Sequence, residues 1–429
     1  MKRTCLVSTL LVSTILLLGN GCNSYHQSSG IPVLTSINFI DYNGLSETLT
    51  TPDRLKQYEQ VDFLKPQPFQ KIMRVYSRDR EGNISAVITS YHPNGQTQQY
   101  LEVVNNRASG FYREWHPNGI LKLETYVIGG MADITAGAEK SWLFEGVSTA
   151  WNENGCLLAE IPYSKGELEG ISLYFHPSGN LWKRAPFCGG VLNGLQETFL
   201  DNGEVLQTTE YVNGVKSGVS KRYWCGGILA SEETYMQGLL KEGRYYNLLS
   251  EELSAVKNGN GFRAVFGRDT VAEFHEYKNG QQEGLVKVFS PDQKLMGTYH
   301  MKNGQKHGEE IEYYEKPSLR QALQPKLSIN WYEDTIQGVA KTWYDNGALE
   351  SQREMSTNQK NGLATAWYRD GSLMMIEEYD HDKLTKGEYY KRGEKIPMSE
   401  VSSGKGNVTL FDAEGNFLRK ITYFNGRPL

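Results

Sequence analysis

The sequence predicts an all-β protein in which stacked β-hairpin repeats form an elongated meandering sheet, with short helical insertions and a small N-terminal cap. Three observations lead to this prediction: a 24-residue period, segments of strand length between turn residues, and aromatic residues that return at fixed positions of the period. Self-similarity at a fixed period is typical of repeat architectures, in which each unit packs on its neighbours.

The repeat is defined by glycine and aromatic residues at fixed spacing. When each repeat is numbered from its first glycine, positions 10 and 21 are again Gly, positions 6 and 18 are aromatic, and position 12 is aliphatic. Four consecutive repeats keep all five positions and begin at Gly146, Gly170, Gly194 and Gly218. Partly altered copies begin at Gly110, Gly284, Gly308, Gly338, Gly362 and Gly406. We therefore expect about ten repeats between residue 86 and the C-terminus.

Each repeat is predicted to be one β-hairpin. The segments between turns are about 5–8 residues long, which is strand length. Asn-Gly pairs lie between them and favour type I′ turns, which need positive φ at both central residues. These pairs begin at Asn118, Asn202, Asn213, Asn279, Asn303, Asn346 and Asn425. The apolar positions 2, 6, 12 and 18 are all even, so period-two alternation predicts that they share one face.

Several segments carry a recognisable motif. Residues 165–170 are followed by Phe175, residues 213–218 by Tyr223, and residues 303–308 by Tyr313. Turns with a preceding aromatic residue lie at 115–119 and 343–347. With these motifs the chain resembles the bacterial variant of the MORN repeat family. The resemblance implies a hairpin-stack interaction scaffold, and some bacterial relatives carry an antitoxin label (YwqK-like).

The departures from the frame lie at residues 131–145, 245–258, 316–330 and 388–405. We predict a short helix from Asn247 to Leu253 and another helical turn between Pro317 and Pro325. Insertions in repeat proteins tend to lie on a binding face, so the first three departures are candidate partner sites. The alternative is tolerated loop growth, which costs only about 0.6 kcal/mol per doubling of loop length.

The N-terminal segment is predicted to be an export signal with a lipid anchor. Lys2 and Arg3 precede an apolar run too short to span a membrane, and small residues precede Cys22. This pattern is similar to a bacterial lipoprotein signal with Cys22 as the lipidation site; soluble secretion and an uncleaved anchor are the alternatives. The predicted organisation is a signal peptide at 1–21, a polar tether at 22–30, an N-terminal cap at 31–85 and the repeat array at 86–429. Thr51 and Pro52 predict a helix start within the cap.

Composition and motifs indicate no active site. With 45 Lys and Arg against 50 Asp and Glu, the chain offers no dense basic surface for nucleic acid. His92, His116 and His176 share the position after the position-6 aromatic, and we interpret them as turn-flanking polar residues rather than a metal-binding ladder. The cysteines that fit no zinc or disulfide pattern are Cys156, Cys188 and Cys225. We predict no catalytic, cofactor-binding or metal-binding residue.

The function predicted from these features is that of a non-enzymatic, membrane-tethered interaction scaffold of the bacterial cell envelope, at the outer membrane or its periplasmic face. The expected partners are proteins, with membrane contact through lipid on Cys22, and neither nucleic acid nor a small-molecule substrate. Two alternatives remain: a carbohydrate-active or carbohydrate-binding envelope protein that uses the aromatic face, and an antitoxin-like or immunity-like binding protein. The aromatic residues recur from repeat to repeat, and this favours the scaffold. A structural stack needs an aromatic residue in every repeat, whereas a sugar-binding site needs only a few.

Overall fold

The computed structural model describes residues 32–315 and 322–429. Within them lie 36 β-strands, two four-residue α-helices and one 3-10 turn, so the all-β prediction is confirmed. The predicted signal peptide, the tether and Cys22 lie outside the described residues. The chain divides into two compact units: one holds the residues up to Gly110 with Gly130–Lys140, and the other holds Phe111–Gly129 with Ser141–Leu429.

Unit one is an antiparallel sheet with short helices. Its strands are β1 (Val33–Asp41), β2 (Ser46–Leu49), β3 (Gln70–Arg78), β4 (Ile84–Tyr91), β5 (Thr97–Val104) and the start of β6 (Arg107–Trp115). β1 pairs with β2 and β3, β3 with β4, and β4 with β5. The predicted helix start is confirmed: α1 (Pro52–Leu55) begins after Thr51, whose carbonyl accepts the Leu55 N–H at 3.0 Å, and continues into a 3-10 turn (Lys56–Tyr58).

Unit two is an antiparallel meander in which each strand longer than two residues pairs with the next such strand along the chain, and the two-residue strands pair with the strand before them. Its strands are β7 (Leu121–Gly129), β8 (Leu143–Trp151), β9 (Leu157–Ser164), β10 (Glu167–Leu168), β11 (Gly170–Phe175), β12 (Leu181–Cys188), β13 (Val191–Leu192), β14 (Gly194–Phe199), β15 (Val205–Val212), β16 (Val215–Tyr223), β17 (Leu229–Met236), β18 (Leu239–Tyr246), β19 (Glu252–Lys257), β20 (Asn260–Phe266), β21 (Val271–Lys278), β22 (Gln281–Phe289), β23 (Leu295–Lys302), β24 (Gln305–Lys306), β25 (Gly308–Tyr313), β26 (Pro325–Tyr332), β27 (Thr335–Ile336), β28 (Gly338–Trp343), β29 (Leu349–Ser356), β30 (Gln359–Trp367), β31 (Leu373–Asp380), β32 (Lys383–Tyr389), β33 (Ser399–Ser402), β34 (Lys405–Phe411), β35 (Phe417–Phe424) and β36 (Arg427–Pro428). The stacked-hairpin prediction is therefore confirmed for this unit.

Each repeat contains two turns of different type. In the repeat that begins at Gly170, the first turn runs from His176 to Asn180, with the His176 N–H donating to the Asn180 carbonyl at 2.8 Å and Gly179 at φ +93°. The second turn has positive φ at both Gly189 (+56°) and Gly190 (+78°), as type I′ requires. The first turn joins the two strands of one hairpin, and the second leads to the next hairpin.

The Asn-Gly pairs divide between these two turns. Those at Asn213, Asn279, Asn303 and Asn425 have positive φ at both residues. Those at Asn118, Asn202 and Asn346 lie in first turns, where only the glycine has positive φ. The type I′ prediction is wrong for this second group, because each Asn Oδ1 accepts the N–H two residues further on and so holds the other turn, as Asn346 does with Ala348 at 3.0 Å.

A β-bulge in each hairpin decides which residues face together. In the Gly170 repeat, Phe175 at position 6 pairs with Leu181 at position 12, but Ile171 at position 2 pairs with Pro186 at position 17. The extra residue shifts the parity of the second strand. Position 2 therefore lies on the face opposite positions 16 and 18, and the prediction that positions 2, 6, 12 and 18 share one face is wrong. Position 3 and position 16 are the fully buried pair, as in Ser172 and Ala185.

One insertion contains a short helix that was not predicted there, and the helix predicted in another is absent. Residues 131–145 contain α2 (Ala136–Glu139), whose first turn is capped by Thr135 Oγ1 accepting the Ala138 N–H at 3.3 Å. The helix predicted from Asn247 to Leu253 is wrong. The Asn247 Oδ1 accepts the N–H groups of Leu249 and Glu251 at 2.9 Å, which holds a hairpin turn instead. The segment is thus a regular repeat that lacks the usual glycine, since Ser250 takes the left-handed φ of +62°.

The segment at 316–330 is described only from residue 322, so most of the helical turn predicted between Pro317 and Pro325 lies outside the described residues; strand β26 begins at Pro325. Residues 388–405 contain the end of β32, the four-residue strand β33 and the beginning of β34. The loop between β32 and β33 is the irregular part of this degenerate repeat. A short turn within it is closed by the Glu394 N–H, which donates to the Lys391 carbonyl at 2.9 Å.

Candidate interaction surface

Unit two exposes a row of apolar side chains on the face that position 2 occupies. Val147 pairs with Pro162 across β8 and β9, and Ile171 pairs with Pro186 across β11 and β12. Leu195 continues the row on β14. Val147, Ile171 and Leu195 are 56%, 44% and 41% exposed. Each proline packs over the first glycine of the following repeat, which closes the gap to the next strand. The row therefore continues across β8, β9, β11, β12 and β14.

A glycine is required where each proline crosses the next strand. A Cβ at Gly170 would lie 3.3 Å from Pro162 Cγ, and one at Gly194 would lie 3.1 Å from Pro186 Cγ. Both glycines also hold positive φ, +107° and +119°, which disfavours other residues there. Close packing beneath the exposed apolar row therefore explains why position 1 of these repeats is glycine.

A second apolar row flanks the type I′ turns of the same face. The cross-strand pairs beside three successive turns are Cys188 with Val191, Val212 with Val215, and Met236 with Leu239. Most of these side chains are exposed, with Met236 at 61%. Together, the first row (Val147, Pro162, Ile171, Pro186, Leu195) and the second row (Cys188, Val191, Val212, Val215, Met236, Leu239) are called here the 147–239 face.

Later repeats carry polar residues at the positions that build this face. The residues that pair beside their type I′ turns are Lys302 with Gln305, Ser356 with Gln359, and Asp380 with Lys383. The partners of position 2 become His300, Glu354 and Glu378. The paired apolar rows thus lie in one part of an otherwise similar sheet, although other exposed apolar residues, such as Leu363 and Phe424, occur in later repeats. A contiguous exposed apolar patch is typical of an interaction site.

Charged residues next to the 147–239 face are paired with each other. Arg184 Nη1 lies 3.0 Å from Glu197 Oε2, and Lys221 Nζ lies 3.0 Å from Glu232 Oε1. These exposed pairs add little stability. The exposed Glu210, which pairs across the sheet with Leu195, accepts the Val219 N–H at 2.9 Å and adds a negative charge to this region.

Two buried glutamates elsewhere in unit two are held by tyrosines and have a structural role. Glu233 accepts hydrogen bonds from Tyr235 Oη at 2.8 Å, Tyr245 Oη at 2.9 Å and Arg263 Nε at 2.7 Å. Burial, and then the neighbouring Glu233 carboxylate, raises the pKa of Tyr245 far above its usual range. Because every oxygen of Glu233 has a donor, the carboxylate is engaged inside the sheet.

The same arrangement recurs at Glu377. Tyr379 Oη donates to Glu377 Oε2 at 3.0 Å, and Tyr389 Oη donates to Oε1 at 2.6 Å. The pattern Glu-x-Tyr, followed by Gly-x-Tyr ten residues after the glutamate, is shared by both clusters. The sequence analysis missed this signal. A search for Glu, Gly and Tyr residues that recur at the same spacing could have found it.

The structure assigns the histidine position a role in joining repeats. His116 Nε2 donates to the Trp151 carbonyl and His176 Nε2 to the Phe199 carbonyl, both at 3.0 Å. Other repeats use Trp224, Tyr314, Tyr344 or Tyr368 for the same bond to the next hairpin. His92 lies in the corresponding first turn of unit one, where its backbone N–H donates to the Gln96 carbonyl at 2.7 Å. The structure does not bring these histidines together.

The 245–258 segment presents a second apolar feature. Leu248 and Leu249 form the tip of their first turn and are 43% and 77% exposed. With Leu253, Trp224 and Val271 they line a cavity of about 310 Å³. The corresponding tips elsewhere are polar, small or proline-containing, such as Asp201-Asn202 and Pro177-Ser178. The leucines that the sequence analysis singled out are therefore exposed at a turn edge, separate from the 147–239 face.

Other candidate chemistry is limited. Among residues 32–315 and 322–429, no group of three or more His, Cys, Asp or Glu side chains is arranged to hold a metal ion. In the same part of the chain, no helix is long and apolar enough to span a membrane. Cys156, Cys188 and Cys225 are free thiols, the last two exposed. The predicted lipidation site Cys22 lies outside the described residues.

Comparison with known proteins supports the repeat assignment. Residues 168–188 match the family described as MORN repeat variant, so the chain contains a MORN-type repeat. No curated protein matches the chain. Among solved structures, the chain is similar to a porin-like protein from Bacteroides uniformis at 9% identity, over 61% of this chain and 96% of that one, with a TM-score of 0.15. A likeness at that score carries no functional argument.

Proposed function

We propose that this chain is a non-enzymatic interaction scaffold of the bacterial cell envelope, tethered through lipid on Cys22, which binds another protein through the 147–239 face. The observation that carries the proposal is the presence of two neighbouring rows of exposed apolar residues on this face. Beyond it, repeats with the same backbone frame carry Glu354, Asp380 and other polar residues at the equivalent positions. The side chains of these rows pack over glycines of neighbouring repeats and still leave apolar surface open to solvent.

The side chains best suited to acid–base chemistry form structural hydrogen bonds, and this supports a non-enzymatic role. The buried carboxylates of Glu233 and Glu377 accept bonds from tyrosine and arginine donors of the sheet. His116 and His176 each use a ring nitrogen to join repeats. A general acid or base needs a free position toward substrate, and these groups are already committed to structural bonds.

The joining of successive repeats supports the use of the face as a scaffold. The Gly214 N–H donates to the Leu192 carbonyl at 2.7 Å, and the Gly238 N–H donates to the Lys216 carbonyl at 2.9 Å. The valines of the second row pack over these turns, with Val215 Cγ1 3.1 Å from a Cβ built on Gly238. A pre-ordered surface loses little conformational freedom when it binds.

Photo-crosslinking in the producing cells tests the proposal. A benzophenone amino acid at Ile171 should give a crosslinked protein product, because this residue lies in the apolar row. The matched control is Leu363, which is also at position 2 and is 51% exposed against 44% for Ile171, but pairs with Glu378 outside the face. Equal crosslinking at both residues, or none at Ile171, would contradict the proposal.

A further inference from the structure

A cavity of about 530 Å³ lies beside the second turns of the repeats around Tyr277. Its lining includes Gly280 and the Asn303-Gly304 turn. This volume is within the range of small-molecule sites, about 300–1,000 Å³. Of the residues that line the cavity, Leu239 alone belongs to the 147–239 face, so the cavity is a feature separate from the surface proposed above.

The cavity lies where the bonding between second turns is interrupted. The Gly280 N–H donates to the Gly259 carbonyl at 2.9 Å, and the Leu240 N–H donates to the Gly280 carbonyl at 3.1 Å, so this turn is held to the repeats before it. In the described part of the chain, the Gly304 N–H makes no corresponding backbone bond. The space between these two turns therefore remains open, and a Cβ built on Gly304 would meet no atom within 4 Å.

The ring of Tyr277 lacks the lysine that covers equivalent rings. Elsewhere, a lysine two residues before the first glycine of a repeat places its Nζ over the aromatic residue that pairs with that glycine. The distances from Nζ to the ring centroid are 4.9 Å for Lys216 over Tyr235, 5.0 Å for Lys306 over Trp331 and 4.5 Å for Lys360 over Tyr379. Tyr277 pairs with Gly261, and the residue two before this glycine is Gly259, which has no side chain. The Tyr277 ring lines the cavity instead.

The Tyr277 ring is held in place by the Glu233 cluster. Its hydroxyl accepts a hydrogen bond from the Arg263 guanidinium, whose Nε donates to Glu233 Oε1 at 2.7 Å. Tyr235, which also lines the cavity, donates to the same carboxylate at 2.8 Å. Rings that are fixed in advance lose little conformational freedom when a ligand packs on them.

Three amide side chains line the cavity together with this ring. They are Gln281, Gln282 and Asn303, and Gln282 pairs with Tyr277 across β21 and β22. An amide group both donates and accepts hydrogen bonds, as a hydroxyl group does. An aromatic ring with amides beside it matches a ligand that has C–H groups on its face and hydroxyls at its rim.

The charges at the cavity disfavour an ionic ligand of either sign. Among the described residues, Glu283 is the one charged side chain in the lining, and its carboxylate would repel an anion. Next to Tyr235 lies the Lys216 ammonium, whose pKa is lowered by burial and then by the neighbouring Arg263. A cationic ligand would meet this like charge.

We propose that this cavity binds a neutral saccharide, with one sugar ring packed on Tyr277 and its hydroxyls bonded to the three amides. The face of a pyranose ring carries C–H groups, which are attracted to the negative face of an aromatic ring. The rim carries hydroxyls, which can donate to Glu283 and can both donate to the amides and accept from them.

Saturation-transfer difference NMR tests the proposal on the full chain, purified in a detergent without a sugar headgroup. The probes are glucose, galactose, mannose, N-acetylglucosamine, maltose and N,N′-diacetylchitobiose. We expect transfer to the C–H protons on one face of at least one of these sugars, because that face lies on Tyr277. Retention of the chain on starch or chitin, compared with binding of the free sugars, shows whether the ligand is a polymer or a soluble saccharide.

Matched variants locate the binding. Gln281→Leu removes one amide at nearly constant volume and should weaken binding about fivefold, the effect of one neutral hydrogen bond. Gln359→Leu is the control, since both glutamines are exposed and lie three residues before the first glycine of a repeat, but Gln359 lies outside the cavity. Tyr277→Ala should weaken binding at least about tenfold, whereas Tyr277→Phe keeps the ring and should bind as the native chain does. Circular dichroism verifies that the variants fold.

The absence of a signal from every sugar would overturn the inference. Native-like binding by both Tyr277→Ala and Gln281→Leu would also overturn it, because the sugar would then bind elsewhere. Binding confined to galacturonate would contradict a neutral ligand, and binding of N-acetyl-Ala-Ala-amide without any sugar would identify a peptide site instead. None of these outcomes bears on the 147–239 face, which crosslinking at Ile171 tests separately.

Discussion

Removal of a single hydroxyl from each glutamate cluster should distinguish two otherwise similar sites. Tyr245→Phe leaves Glu233 with two donors, Tyr235 and Arg263, whereas Tyr389→Phe leaves Glu377 with Tyr379 alone. A hydrogen bond to a charged group contributes about 1.5–3 kcal/mol. We therefore expect a loss of about 1.5 kcal/mol for the first variant and about 3 kcal/mol for the second, because the Glu377 carboxylate stays buried with half of its bonds.

The assay must be local, because a repeat array opens in parts rather than as one unit. Hydrogen exchange by mass spectrometry on peptides from β17–β18 and β31–β32 reports the free energy of opening at each cluster. Tyr332→Phe is the control; its side chain is 56% exposed, and a change within ~0.5 kcal/mol is expected at such a surface site. If Tyr389→Phe costs no more than Tyr245→Phe, or resembles the control, the reasoning about the number of donors is refuted.

Three further predictions concern other parts of the chain. Radiolabelled palmitate should enter the native protein and not Cys22→Ser, and equal labelling of both would exclude lipidation at that residue. Burial raises the pKa of Tyr344 to about 12, so the stabilising contribution of its neutral hydroxyl is complete below the unfolded pKa of about 10 and is lost as pH rises to about 12. Other buried tyrosines also ionise late, so the late absorbance change at 295 nm should decrease in Tyr344→Phe by the amplitude of one tyrosine, and an unchanged amplitude would contradict this assignment. Replacing Leu248 and Leu249 by Asp and Asn, the residues of another tip, should change the unfolding free energy by less than ~0.5 kcal/mol; a loss above ~2 kcal/mol by denaturant titration would show that these leucines belong to the core.

The hairpin architecture was predictable because its signals are local. Asn213-Gly214 and Asn425-Gly426 form the type I′ turns that their residue types favour. The position-10 glycines have positive φ, which glycine adopts more readily than other residues. Thr51 and Pro52 likewise indicated the start of α1. In each case a few adjacent residues determine the backbone, so the sequence is sufficient.

The faces of the sheet could not be predicted in the same way. The bulge beside Phe175 shifts pairing by one residue, and nothing in the period reveals that shift; the aromatic residue at position 18 was therefore assigned to the face of position 2, although it lies on the opposite one. Ser250 holds a φ of +62° where other repeats have glycine, which concealed a regular turn, whereas Gln293 at +60° lies in a repeat that its other positions still revealed. The bond from His176 to the next repeat depends on tertiary stacking, so its sequence neighbours do not indicate it.

Methionine oxidation in intact cells tests the use of the 147–239 face most directly. Met236 lies in the second row and is 61% exposed, and Met398, which lies in the loop before β33, is 58% exposed. A covered face should protect Met236 from peroxide in cells while Met398 is oxidised, and both should react at similar rates in the purified chain at high dilution. Equal oxidation of the two methionines in cells would contradict the account, because it would mean that the face remains open to solvent where the protein acts.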